Sequence, residues 1–522
     1  MSSRTSYTLK NLIANGINVL LTVTLAFVVR TVFINVLGKE YLGITGLFNN
    51  IFSILALAEL GIGSAIAYKL YKPLAEHDHQ RTRVLMKFYK KAYQIISLVI
   101  LVLGLLTMPF LNFIIKDDVR FVNIYIVYAI FLFQSISTYM FFAYKSTLIK
   151  ADQREYVTVV IGYFVEIISS ITQIIILIVF ENYITYIASL IFFNIIKNIL
   201  IARRVDKDYA YIKEKTTETL PKKELKEMFK DFRALFLYKA NSVVLTATDN
   251  IIISTYIGLA TVGLYSNYLL ITTGLRRIIN TFYNAVKASI GNLYATSDKE
   301  HTYFIFRVIN IFTVILFGGA SIGIYALSNT FIHYWIGKHY IISQTFSLLL
   351  ALEFYLKGLQ LLLSQFRTSM GLFQQAKYRP IFSMIINLVV SLILVQYIGV
   401  YGVIIGTIIS SLSTYMWFDP IIIHKYGFNR KATKYFIQNI YYLLITFIAG
   451  YTSYYVISLI TLERYYILFT KIIICVVITA IIYSVFLFRS REAKYLLKII
   501  KQIFTSKRKA FKERRNLEEA NE

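Results

Sequence analysis

Apolar runs of about 20 residues recur along the whole chain, separated by short polar segments. A run of that length matches the roughly 30 Å of hydrocarbon that a membrane helix must cross. The runs are continuous, whereas the strands of a transmembrane barrel alternate apolar and polar positions over about 10 residues. The pattern therefore predicts an all-α polytopic membrane protein. It places fourteen spans at 11 to 36, 43 to 68, 92 to 115, 121 to 144, 156 to 180, 184 to 202, 234 to 257, 264 to 290, 303 to 327, 344 to 368, 380 to 396, 401 to 423, 437 to 459 and 466 to 488. The first run follows basic residues but has no small-residue cleavage site, so it reads as a retained helix and not a signal peptide.

Composition agrees: 57% of the 522 residues are hydrophobic and 16% charged, against about 25% charged in soluble domains. A net charge of +27 would point to nucleic acid in a soluble protein; its distribution here points to a membrane. An even number of spans puts both termini on one side. The segments on that side hold 40 Lys and Arg, and the opposite loops hold 5. The positive-inside rule then makes the termini cytoplasmic. The basic segment at 204–233 and the basic tail at 489–522 serve orientation and contact with anionic lipid. Cys475 is the only cysteine and lies in an apolar run, which excludes an intrachain disulfide.

The 204–233 segment is also the longest loop, and it divides an N-lobe at 1–203 from a C-lobe at 234–436, with 437–488 as an appended helix pair. The halves resemble each other weakly. "INVLGKEYLGITGLF" aligns with "STYIGLATVGLYSNY" at an offset of 220, matching Gly38 with Gly258 and Gly43 with Gly263. "YKSTLIKADQREY" aligns with "FRTSMGLFQQAKY" at 222, pairing Tyr156 with Tyr378. Two six-span halves that enter from the same side make a parallel repeat about an axis along the membrane normal.

Ten basic residues fall inside spans: Arg30, Lys197, Lys239, Arg276, Arg277, Lys287, Arg307, Lys357, Arg367 and Lys471. An arginine at mid-bilayer costs roughly 2.5 to 3.5 kcal/mol on insertion scales, so Arg276 and Arg277, in the middle of span 8, should face protein or water. Steps of three and four give a polar stripe of Thr273, Arg277, Asn280, Asn284 and Lys287, with Arg276 about 100° round from Arg277. Span 1 carries a similar stripe from Asn15 and Asn18 through Thr22 to Arg30. Only Glu59, Glu166, Asp249, Glu353 and Asp419 oppose these charges within or at the edges of spans. Two adjacent guanidiniums suit phosphate or diphosphate oxygens, which Arg binds bidentately. Two readings stay open: an anion site, or ion pairs to Glu353 or Asp249 that lock helices. Lys197, Lys287, Arg307, Arg367 and Lys471 lie near span ends, where they are expected to snorkel to the interface. Glu59 reads either as part of the cationic cavity or as a partner for Arg30.

Enzymatic signals are thin. His77 and His79 in "EHDH" would point to different faces of a helix and have no third ligand nearby. No Walker loop, HExxH or GxSxG occurs. The residues read as a non-enzymatic transporter driven by an ion gradient or by substrate flux.

Three stretches carry a resemblance to a known family: "NVLGKEYLGITGLFNNIFSILALAELGIGSAIAYKL", "KADQREY" and "YRPIFSMIINLVVSLILVQYIGVYGVIIGTIISS". They resemble the bacterial polysaccharide transporters of the multidrug/oligosaccharidyl-lipid/polysaccharide superfamily, the Wzx-type flippases, with the lipid II flippases as cousins. The resemblance implies a multi-pass protein of the bacterial cytoplasmic membrane that turns an undecaprenyl-diphosphate-linked oligosaccharide from the inner to the outer leaflet by alternating access. It implies no resident cofactor, with polysaccharide polymerase or assembly proteins as partners beside the lipid bilayer. Arg30, Arg276 and Arg277 then match basic cavity positions, and the 437–488 pair matches a lipid-tail groove. Sodium or proton coupling is also implied: Asp249, Asn387, Val403 and Thr407 match a sodium site between spans 7, 11 and 12, but Ser391 stands where a second carboxylate is expected.

Four alternatives compete. An ion-coupled drug exporter of the same superfamily would favour an acidic cavity for cationic drugs. A major-facilitator transporter would carry a basic signature loop that "YKPLAEHDHQRTRV" lacks. A polysaccharide polymerase or ligase would need outward catalytic loops, and "SNTFIHYWIGKHYIISQ" holds no carboxylate. A structural scaffold would gain nothing from buried arginines that leucines could not supply.

Overall fold

A computed structural model describes residues 2–59, 62–117, 119, 121–214, 216–372, 374–460, 466–487, 489–499 and 501–502. The basic tail from 503 on lies outside the described residues, as do the side chains of Lys239, Asn284 and Lys287. Among the described residues all regular structure is helical, as the continuous apolar runs predict. This is a multi-pass membrane protein. Ten helices are long and apolar enough to cross a membrane, and eleven if the bent pair Ile124–Met140 and Ala143–Ala151 is taken as one span.

The fourteen expected spans include three further segments that are helical but too polar or too broken to count among those eleven. One is the expected span 43 to 68. It is interrupted: a helix Lys39–Leu55 runs into a 3-10 turn Ala56–Glu59, and a new helix starts at Ile62. The sequence there, "ALAELGIG", sets a carboxylate beside two glycines, and both weaken a helix. The others are the helices Lys222–Tyr256 and Leu259–Thr296, which carry Asp249 and the arginine pair.

The chain forms two compact units. The first comprises 1–282, 335–340 and 380–410; the second comprises 283–334, 341–379 and 411–522. In the second, the helix Gln344–Ser369 is the most enclosed, with Phe346, Leu362, Leu363 and Phe366 fully buried.

In the first unit, the two glycine pairs that align in the sequence do matching jobs. Gly38 and Gly258 both take positive φ, +89° and +135°, and each immediately precedes a helix start. Such angles suit glycine because it has no Cβ. Gly43 then packs on the carbonyl of Leu259, and Gly263 packs on the carbonyl of Lys39. Because 39 and 43 map to 259 and 263 at the offset of 220, the contact is reciprocal, as a local two-fold relation requires. A Cβ at either glycine would land on backbone that cannot move aside. Gly43→Ala should therefore lose about 1 to 3 kcal/mol, read as a lower melting temperature in detergent; an unchanged melting curve would show that the helices can separate freely.

Candidate functional site

The helix Leu259–Thr296 contains no proline and runs without a break through its polar positions. Thr273 returns its hydroxyl to the Leu269 carbonyl at 2.6 Å, and Thr281 donates to the Arg277 carbonyl at 3.1 Å. Their side chains thus satisfy the helix backbone and leave the guanidiniums to act outward. Thr272, Gly274 and Ile279 are buried, Arg276 and Asn280 are half-buried, and Arg277 is exposed. The described part of the stripe, Thr273, Arg277 and Asn280, thus borders a packed face of the helix.

Neither Arg276 nor Arg277 has a carboxylate partner among the described residues of its unit. The carboxylates offered as helix-locking partners are engaged elsewhere. Glu353 is held by Lys357, one turn on, at 2.5 Å, and Asp249 accepts the Tyr265 hydroxyl at 3.5 Å. One turn beyond the pair, the Asn280 side-chain oxygen is buried with no hydrogen-bond partner. Asn284 belongs to the same stripe but its side chain lies outside the described residues.

Arg30 joins the same helix at another level. Its guanidinium donates to Ser266 Oγ at 3.0 Å and to Asn267 Oδ1 at 3.5 Å, and among the described residues it has no carboxylate partner. Beside it, Trp335 donates from Nε1 to Thr31 Oγ1 at 2.6 Å and packs edge-on against Phe27. Lower on the same helix, Val23 packs against Gly274. These two contacts fix an antiparallel register between Ser2–Leu37 and Leu259–Thr296. Ten residues separate Ser266 from Arg276, which is about 15 Å along a helix. Arg30 therefore marks a second cationic level on the face and does not share the level of the pair.

Glu59 lies in the helix break. It accepts the Tyr93 hydroxyl at 3.3 Å; Tyr89 donates to Tyr93 at 2.8 Å and is within 3.2 Å of Thr147 Oγ1. The structure thus places Glu59 at the end of a chain of hydroxyls, and Arg30 elsewhere.

The oxygens matched to a sodium site divide. Asn387 Nδ2 donates to Thr407 Oγ1 at 2.9 Å, leaving Asn387 Oδ1 buried without a partner. Thr407 and Ser391 both lie 3.4 Å from the Val403 carbonyl. No hydrogen bond joins Asp249 to Asn387 or Thr407 among the described residues. The cluster supplies hard oxygen donors and a close Gly406–Ser391 packing, donors of the kind a hard cation takes. Among the described residues no three His, Cys, Asp or Glu side chains gather as metal ligands.

Sequence reasoning missed one buried constellation. Arg367 was expected to snorkel, and Arg379 was assigned to a loop. Both are buried, and both are paired to Asp419, which is itself 0% exposed: Arg367 at 3.6 Å, Arg379 closer, with its guanidinium 4.0 Å over the Tyr415 ring. Arg307 likewise pairs with Glu492 instead of reaching the interface alone. The tripeptides "YRP" and "FDP" set each charge beside a proline, at the start of the helix Arg379–Ile398 and within the helix Tyr415–Ile422.

A model of the family described as polysaccharide biosynthesis protein matches residues 8–287, more than half of the chain. The chain belongs to the polysaccharide biosynthesis protein family. The matched region contains Arg30, Glu59, Asp249 and the Arg276–Arg277 pair. Among solved structures, this family member is similar to the lipid II flippase MurJ in an inward closed conformation: 16% identity, TM-score 0.65, covering 91% of this chain and 99% of that one. It is also similar to an inward-facing multidrug-resistance MATE transporter of the MOP superfamily, at 14% identity, TM-score 0.56 and coverage of 77% and 94%. A Vibrio cholerae MATE transporter gives 13% identity, TM-score 0.55 and coverage of 83% and 99%. At these identities the likeness shows a shared fold. No curated protein sequence matches the chain.

Proposed function

We propose that this protein is a flippase that moves an undecaprenyl-diphosphate-linked oligosaccharide from the inner to the outer leaflet of the bacterial cytoplasmic membrane by alternating access between an N-lobe and a C-lobe. The observation that carries the reading is the Arg276–Arg277 pair, two adjacent guanidiniums with no carboxylate partner among the described residues of their unit, on one long helix of a polysaccharide biosynthesis family member. A half-buried positive charge such as Arg276 is costly without a partner, so its retention beside the exposed Arg277 favours a ligand that brings the negative charge. A diphosphate supplies oxygens that accept bidentate hydrogen bonds from two guanidinium forks. Asn280 Oδ1 supplies an acceptor next to them for a donor of the bound head group. The prenyl tail stays in lipid, no bond is made or broken, and the 40-to-5 asymmetry of Lys and Arg puts the termini in the cytoplasm.

The same fold in MATE transporters favours drug export as the second reading, but a cationic drug would meet like charge at the pair. Reconstitution separates the two. In proteoliposomes the protein should expose a fluorescent undecaprenyl-diphosphate oligosaccharide to an impermeant quencher and should not move a cationic dye. Dye movement without glycan movement would overturn the flippase.

A further inference from the structure

On the helix His79–Thr107, positions 87, 91, 95 and 99 follow one another at intervals of four and so share one face. They read Lys, Lys, Ile, Val. Over about 18 Å of helix this face changes from cationic to apolar. All four residues line one cavity of about 490 Å³ in the first unit, with Phe88 and Ala92 in its wall. The cavity is roofed by the 216–225 segment, whose Leu220 is buried in it and 6% exposed.

The roof is fastened by charge. Arg81 pairs with Glu224, Arg83 with Glu214, and Gln80 donates to Glu218. Lys87 donates to the Thr216 carbonyl at 2.6 Å, and His79 stacks on Tyr211 with 4.0 Å between ring centroids. Glu218, the one acid in the cavity wall, is thus already engaged by Gln80. Lys91 is exposed and has no carboxylate partner among the described residues. Ile95 and Val99 are 53% and 37% exposed, so the apolar end opens on the outer surface of a helix apolar enough to cross a membrane.

We propose that this cavity is a binding site for one anionic phospholipid, its phosphate between Lys87 and Lys91 and an acyl chain along Ile95 and Val99 beneath Leu220. The order of charge and apolar surface along the face is the order of head group and tail in such a lipid. An anionic headgroup answers the lysine that the roof leaves unpaired, and a zwitterionic one answers it less well. The site is separate from the Arg276–Arg277 pair and does not rest on the transported substrate.

Native mass spectrometry of the purified full chain, titrated with phosphatidylglycerol and phosphatidylcholine, tests it. The unmodified protein should favour phosphatidylglycerol roughly tenfold. Lys87→Glu with Lys91→Glu should abolish that preference. Lys90→Glu, which reverses one charge on the same helix but outside the cavity, should keep it. Ala92→Trp, which fills the cavity and leaves both lysines, should lower retention of phosphatidylglycerol severalfold in protein that stays monodisperse. An equal loss with Lys90→Glu would mean diffuse attraction by a basic surface and would overturn the site, as would full retention in Ala92→Trp. Displacement of the lipid by millimolar inorganic phosphate alone would overturn the role of the acyl chain.

Discussion

Arg276→Ala with Arg277→Ala should reach the membrane in normal amount and deliver no lipid-linked glycan to the outer leaflet. Removing two exposed or half-buried cations that no carboxylate balances relieves the helix of an insertion cost, so accumulation should not fall. The loss should appear in transport. A hydrogen bond to a charged group is worth about 1.5 to 3 kcal/mol, so deleting two forks removes about a hundredfold or more of affinity for a diphosphate. Lysine replacements, Arg276→Lys with Arg277→Lys, should recover only part of the rate, since an ammonium meets phosphate as a point charge and not as a fork. The measurement is outer-leaflet accessibility of the glycan in cells or proteoliposomes, with membrane abundance read in parallel. Normal delivery by the double alanine variant would return the pair to a structural role.

Asp419→Ala should have the largest effect on folding. Asp419 is completely enclosed and balances two guanidiniums, Arg367 and Arg379, that are 3% and 5% exposed. Taking away one member of a buried ionic group costs about 3 to 5 kcal/mol because it strands charge in a medium of low dielectric. That is a large part of the roughly 5 to 15 kcal/mol that holds a typical domain together. The variant should accumulate poorly and elute as aggregate, with a melting temperature far below that of the unmodified protein. Replacing all three together, Arg367→Met, Arg379→Met and Asp419→Leu, should restore much of the stability, since no uncompensated charge remains. A stable Asp419→Ala, or a triple variant no better than the single, would show that the triad is solvated.

Much of the fold was legible because hydropathy and helical period act over one or two turns. The apolar runs placed the helices, and the polar positions of Leu259–Thr296 fell on one unbroken helix. The alignment of Gly43 with Gly263 was visible as an offset of 220 in the sequence, but their reciprocal packing was not. The break after Leu55 was harder: "ALAELGIG" reads as one apolar run on any average, and only the Tyr93 hydroxyl, 34 residues on, explains why Glu59 can sit there.

The sequence by itself determined the class of protein and which residues stand against the hydrophobic background, because those follow from the free energy of placing each residue in hydrocarbon. Only the tertiary structure decided what each charge does. Arg30 and Ser266 are 236 positions apart, and Arg379 and Asp419 are 40 apart. No local pattern encodes such pairings, since they depend on which helix faces pack together. That packing balanced Arg367 and Arg379 with Asp419, set Arg30 about 15 Å from the pair, and left Arg276 and Arg277 with no carboxylate partner among the described residues of their unit.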